Sequence, residues 1–146
     1  MTIAATYSKI VSLAAGTSGI GLAPETLPSS LPLDGLPIVL TRVGSASWNE
    51  HASGLYRQVR TYYVDCYVQP VAEGIEPDEG YKACLTPLYN LGRTFVQNWT
   101  LENTVDQIGV GDRPEFEDSG VRSDMGYAGT AYHGFTITLQ ITEKST

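Results

Sequence analysis

The sequence predicts an α+β fold: a single mixed, largely antiparallel sheet of about four strands, with two helices packed on one face and long loops. Three observations predict it. Residues 55–70 form a run of β-branched and aromatic residues that is typical of a central strand. Residues 78–99 carry apolar side chains at three- and four-residue spacing, which indicates an amphipathic helix. Residues 135–142 alternate apolar and polar side chains, as in a half-buried strand.

The composition is that of one globular domain spanning residues 1–146. A chain of 146 residues with 42% apolar residues can bury an ordinary hydrophobic core without disulfides or a structural metal. The net charge of −7 and the lack of a basic stripe argue against binding nucleic acid through its phosphates. The first 22 residues lack a basic leader, and no run approaches the roughly 20 apolar residues of a membrane span. The sequence therefore predicts synthesis in a cytoplasm and no membrane contact.

The first half of the chain predicts one helix and a hairpin. Residues 3–15 have apolar positions at helical spacing on one face. Residues 16–36 contain too many Gly and Pro for a helix or a strand. Residues 36–43 form the first strand, and 44–54 a polar turn region, so the long strand that follows closes a hairpin with an extended tip.

The second half predicts the main helix and two more strands. The stripe of this helix that should face the sheet is Tyr81, Leu85, Leu88, Leu91, Phe95 and Trp99. Pro87 lies within the stripe and should kink the helix. Residues 103–110 form a third strand, 111–130 a long loop, and 135–142 the last strand. Layer packing then places both helices on the sheet.

The loop at 111–130 is acidic and poor in large apolar side chains. Its carboxylates are Asp112, Glu115, Glu117, Asp118 and Asp124. Their spacing is not that of a calcium-binding EF-hand loop. Because the loop buries little, we expect it to be mobile in the isolated subunit and ordered by a neighbouring subunit or partner. The alternative is a loop folded on its own domain.

No residue pattern predicts catalysis, a cofactor or a metal site. His51 and His133 are the only histidines, and neither has a nucleophile in a recognisable motif, so both are interpreted as surface residues. Cys66 and Cys84 are too few for a disulfide framework and are interpreted as two buried free thiols. The sequence therefore predicts a protein that is not an enzyme.

Aromatic and charged residues in or beside the predicted loops are candidates for contact with a partner. Tyrosine, tryptophan and arginine are enriched at protein interfaces, although the aromatic residues could equally cover the local core. The candidate residues are Trp48, His51, Arg57, Arg60, Asp112, Arg113, Glu115, Glu117, Tyr127 and Tyr132.

The order of these sequence patterns along nearly the whole chain resembles that of the tail terminator (tail-completion) proteins of long-tailed bacteriophages. The features that carry the resemblance are an amphipathic N-terminal helix, a stretch ending in Leu36-Pro37, the strand YRQVRTYYVDCYV, an amphipathic helix after an acidic lead-in, a Gly-Val strand, and Tyr127-Ala128-Gly129 ahead of HGFTITLQI. The long segments 16–35 and 111–130 and the proline at position 87 depart from the pattern.

The resemblance implies a structural virion protein and no cofactor. Such proteins form a ring, commonly of six subunits, on the head-proximal end of the tail tube. The ring stops tube growth, offers a surface to the head-closure or connector protein, and lets DNA pass through its lumen without specific binding. The alternatives are another neck component, such as a head-closure or tail-tube protein, and a small cytoplasmic ligand-binding or enzyme domain.

Overall fold

The computed structural model describes residues 2–52, 54–71, 77–111 and 113–144. It confirms the α+β class, with two helices and one antiparallel sheet. The sheet has six strands, so the expectation of about four is too low. The elements are α1 (Ile3–Ala15), β1 (Ile38–Ala52), β2 (Leu55–Pro70), α2 (Pro77–Gln97), β3 (Gln107–Ile108), β4 (Glu117–Asp118), β5 (Arg122–Tyr127) and β6 (Thr130–Lys144).

The sheet is built on β2, which pairs along nearly its whole length with β1 on one side and β6 on the other. The short strands β3, β4 and β5 follow one another along the outer side of β6. One edge of the sheet is therefore the long strand β1, and the opposite edge is a row of three short strands.

Strand β1 is about twice as long as the sequence predicts, because it continues through the expected turn region at 44–54. After a register shift between Val43 and Ala46, the pairing with β2 resumes and reaches Ala52 opposite Leu55. The segment is rich in Ser, Asn and Glu, which have low strand propensity. Pairing with the strongly β-forming β2 overrides that local preference.

Both helices cover one face of the sheet. Thr2 begins α1 by accepting a hydrogen bond from the Ala5 N–H at 3.0 Å on its side-chain oxygen. Helix α1 lies on β1, and α2 lies on β6 and β2. The fully buried core residues between the helices and the sheet include Ile10, Tyr62, Val64, Cys66, Cys84, Leu91, Phe95, Phe135, Ile137, Leu139 and Ile141.

A smaller apolar cluster lies on the opposite face of the sheet, at one end. Its buried members are Leu31, Ile38, Leu40, Tyr67, Met125 and Tyr132. The Gly- and Pro-rich segment after α1, which includes a short 3₁₀ turn at Leu33–Gly35, runs past this cluster. It is held by a parallel bridge between Leu22 and Ile38 and by a hydrogen bond from the Tyr127 hydroxyl to the Pro28 carbonyl.

Only Gln107–Ile108 (β3) of the predicted third strand at 103–110 forms a strand, because the chain turns at residues 101–103. Leu101, Glu102 and Asn103 have φ angles of 49°, 54° and 67°, which no strand can contain. Leu101 is nevertheless fully buried and belongs to the main core. The turn therefore fixes the end of α2 against the sheet.

The segment 111–130 is not the loop that the sequence predicts. Within it, β4 and β5 pair with β6, and the Ser119 N–H donates to the Thr136 carbonyl at 2.9 Å. Phe116 and Val121 pack against the main core, and Met125 belongs to the smaller cluster. The outer side of β6 supplies hydrogen bonds to β4 and β5, so these ordering contacts lie within this chain. The alternative, a segment folded on its own domain, is what the structure shows.

The histidine and cysteine predictions have different outcomes. His133 is buried rather than exposed, and its Nδ1 lies 2.9 Å from the Ser123 hydroxyl. Its ring lies against Gly80 of α2, and a Cβ atom at position 80 would overlap the ring. Cys66 and Cys84 are both buried free thiols, as predicted.

The buried tyrosines predict a loss of stability at alkaline pH. Burial and, second, the Glu143 carboxylate raise the pKa of Tyr62 to about 12, and burial raises that of Tyr67 to about 12. A raised folded-state pKa contributes stability that is complete below the unfolded value, 10.0 for tyrosine, and is lost as the pH rises through the folded value. We therefore expect the free energy of unfolding to fall between pH 10 and about 12 in urea titrations.

The control for this prediction is Tyr62→Phe, which removes one ionisable group from the core. This variant should lose less stability than the wild type over the same interval of pH. Wild type and variant that decline equally, or no decline in either, would contradict it.

Candidate functional site

An exposed aromatic patch lies near the end of the β1–β2 hairpin, on the face of the sheet that carries the helices. Trp48 is 53% exposed, and its ring stacks at 5.2 Å on that of Tyr56 in the neighbouring strand. The guanidinium of Arg60 lies 5.9 Å from the Trp48 ring. We call Trp48, Tyr56 and Arg60 the hairpin patch. Tryptophan, tyrosine and arginine are the residues that most often dominate binding energy at interfaces.

Hydrogen bonds hold the arginines of the hairpin in place. The Arg60 side chain donates to the Gln58 side-chain oxygen at 2.6 Å and to the Gly44 carbonyl at 2.9 Å. Arg57 donates to the Val110 carbonyl at 3.3 Å, across β6. Among the described residues, neither guanidinium has a carboxylate within ion-pair distance. Both guanidinium groups are therefore held in position without a direct ion pair in the described part of the subunit, and the Gln58 amide links Arg60 to the Glu143 carboxylate.

A second apolar surface runs along α2. Its members are three, four or seven residues apart and lie beside the buried stripe rather than on it, and the last of them, Trp99, follows the end of the helix. They are Tyr81, Leu85, Tyr89, Val96 and Trp99, and their exposed fractions run from 44% to 67%. We call these five residues the α2 stripe. Sequence periodicity assigned Tyr81, Leu85 and Trp99 to the sheet, and the structure shows this to be wrong.

The α2 stripe ends in a cleft beside the short-strand edge of the sheet. The cleft has a volume of about 240 Å³ and an apolar lining with one carboxylate, and it lies between the end of α2 and residues 114–116. Its lining residues are Phe95, Val96, Trp99, Ile108, Pro114, Glu115 and Phe116. We call it the α2–β4 cleft. Two of the lining rings, those of Phe95 and Phe116, meet edge to face at 6.3 Å, and Phe95 is fully buried.

Exposed carboxylates line the same edge. Glu115 borders the cleft, and Glu117 is exposed in β4. In the described part of the chain, no cation lies within ion-pair distance of either one. This edge is therefore apolar and negative, whereas the hairpin patch at the opposite edge is apolar and carries the Arg60 guanidinium, with the exposed Glu50 opposite Tyr56.

The structure distributes the ten predicted contact residues over three environments. Trp48, Arg57 and Arg60 lie near the hairpin end, and Arg113, Glu115 and Glu117 lie along the short-strand edge. Asp112 and the side chain of His51 lie outside the described residues.

Tyr127 and Tyr132 pack inside the subunit. The ring centroids of both lie 5.6 Å from that of Tyr67, and Tyr132 is buried. Their environment is the core of the smaller apolar cluster, so the alternative that they cover the local core is what the structure shows.

Sequence reasoning missed all five members of the α2 stripe as contact candidates. The sequence did contain a signal for this surface, because the apolar face of α2 is wider than its contact with the sheet can cover. Within the described ranges, no group of histidine, cysteine, aspartate and glutamate side chains has the geometry to hold a metal ion. Nor does any helix in those ranges have the length and apolar character needed to cross a bilayer.

Comparison with known proteins adds no family assignment. None of the protein-family models matches this chain, and a search of curated proteins also finds no match.

Proposed function

We propose that this protein is a structural component of a phage virion that acts as a tail terminator. It forms a ring, of six subunits by the sequence resemblance, on the head-proximal end of the tail tube. The ring stops tube polymerisation and gives the head-closure or connector protein a surface to join. In the virion, the partners are the tail tube below the ring and the connector above it.

The observation that supports assembly is the placement of two exposed apolar surfaces at opposite edges of one sheet. The hairpin patch lies at the β1 side, and the α2–β4 cleft lies at the side of β3 and β4. Surfaces that differ and lie apart favour head-to-tail contacts, which close into rings when the rotation per subunit permits. A two-fold dimer would instead need one self-complementary surface.

The charge supports a channel through which DNA moves. A net charge of −7 gives the subunit an overall repulsion from the phosphate backbone. A lumen with this charge would let DNA slide without being held. A head-closure or tail-tube protein remains the nearest alternative within the same assembly.

Depletion of the protein from the virus that encodes it tests this proposal. We expect lysates without the protein to contain filled heads and separate, overlong tails, because nothing stops the tube or joins it to a head. Supplying the wild-type protein in trans should restore joined particles and uniform tail length. Joined particles with tails of normal length in the depleted lysate would contradict the proposal, whereas heads that leak DNA beside tails of normal length would indicate a head-closure protein.

A further inference from the structure

We propose that the occupant of the α2–β4 cleft is the hairpin patch of a second copy of this chain. Trp48 of one copy enters the cleft, and Arg60 beside it pairs with Glu115 on the cleft rim. The contact identifies the two surfaces through which the subunits assemble. Only the closure of repeated contacts into a ring rests on the proposed function.

The hairpin patch has the composition and the rigidity of an interface anchor. Trp48 presents a large apolar ring that is half exposed, and the neighbouring Tyr56 ring and the Arg60 guanidinium restrict its movement. The hydrogen bonds of Arg60 to Gln58 and Gly44 also fix the guanidinium. A preordered anchor loses less side-chain entropy when it binds than a free one does.

The α2–β4 cleft offers a complementary pocket for an aromatic ring. Its apolar lining includes Phe116, Val96 and Trp99, with the buried Phe95 behind them, so an entering indole would contact several apolar side chains. Val96 is 63% exposed and Trp99 is 44% exposed, so the pocket is open to a partner. Aromatic rings at such distances gain energy from edge-to-face contacts in addition to burial.

Charge complementarity selects the second copy as the occupant. Arg60 has no carboxylate partner among the described residues of its own chain, and Glu115 has no cationic partner among them. Docking of Trp48 brings the Arg60 guanidinium to the Glu115 carboxylate on the cleft rim, and a pair partly shielded from water is stronger than an exposed one. The two surfaces lie at opposite edges of the sheet, so each copy can donate its patch to one neighbour and receive the patch of another.

Mixing two assembly-defective variants tests this contact directly. Trp48→Ala removes the anchor, and Val96→Glu blocks the cleft; both side chains are exposed, so the fold should be retained. We expect wild-type protein to form assemblies larger than dimers as its concentration rises in sedimentation velocity. Each variant alone should show an apparent dissociation constant raised on the order of 30-fold. Together, the two variants should form a 1:1 dimer that grows no further, since only one contact remains intact.

The charge pair has its own test and control. Arg60→Glu and Glu115→Arg should each weaken assembly, and the double variant should recover most of it. Leu33→Ala, which removes an apolar side chain that is 73% exposed and outside both surfaces, should assemble as the wild type does.

Several outcomes would overturn the proposal: wild-type protein that stays monomeric at every concentration, variants that assemble normally, or a mixture without heterodimers. Assembly through this contact by a protein that is absent from virions would leave the inference standing and refute the proposed function. A ring on virions that still forms with the Trp48→Ala variant would refute this contact and leave the proposed function standing.

Discussion

Replacing Phe95 by alanine is expected to lower the free energy of unfolding by about 3–5 kcal/mol, as for other buried phenylalanines. Phe95 is fully buried, joins α2 to the sheet and contacts the ring of Phe116 edge to face. Its removal leaves a cavity between the helix and β6 that the rigid sheet cannot close. Urea unfolding at low protein concentration, followed by far-UV circular dichroism, measures the loss.

The matched control is the next residue, Val96, which is 63% exposed on the same turn of the helix. Val96→Ala should change the free energy of unfolding by no more than about 0.5 kcal/mol, because surface changes are small. Equal losses for the two variants would show that α2 presents a different face to the sheet.

Replacing Gly134 by alanine is expected to cost at least about 3 kcal/mol, the upper end of what overpacking costs. Gly134 lies in β6 opposite Tyr67, where the pairing with β2 shifts register. A Cβ atom there would overlap the Cys66 carbonyl and approach the Met125 sulfur to 3.0 Å. Because the carbonyl belongs to the backbone of the central strand, it cannot rotate away, and the strands must separate.

Gly126→Ala is the control for this change, since no atom lies within 4 Å of a Cβ built at that position in β5. We expect this variant to match the wild type or to gain up to about 1 kcal/mol from the stiffer unfolded chain. Thermal unfolding of both glycine variants is the measurement. A Gly134→Ala protein as stable as Gly126→Ala would contradict the strand register of β2 and β6.

The long elements of the fold are predictable from periodicity. Helix α1, β2 and β6 have periodic patterns that predict the face packed against the main core, and the structure confirms that face; it also buries part of the second face of both strands, including Tyr67 and Thr136. Strand β3 lies within the predicted third strand at 103–110, whereas β4 and β5 in the same short row are not predictable in this way. Each pairs for only a few residues, and what defines them is the free side of β6 rather than their own side chains. Their local sequence, rich in Gly, Asp and Ser, indicates a loop.

Only part of the candidate site is predictable from sequence: the individual contact residues are, and the α2 stripe is not. Trp48 and Arg60 are of residue types that are enriched at interfaces, so composition alone indicates them, and Glu115 was indicated by its place in the acidic segment. The α2 stripe needs the structure, because a helix with an apolar face wider than its contact with the sheet gives one continuous pattern. Periodicity cannot tell which part of that face the subunit covers and which part it leaves for a partner.

Averaged electron microscopy of intact virions tests the central claim most directly. The account predicts a closed ring of this chain, six copies by the resemblance, at the head-proximal end of the tail tube. The hairpin patch of each copy should lie on the α2–β4 cleft of the next. A single copy at that position, or density there that this fold does not fit, would contradict the account.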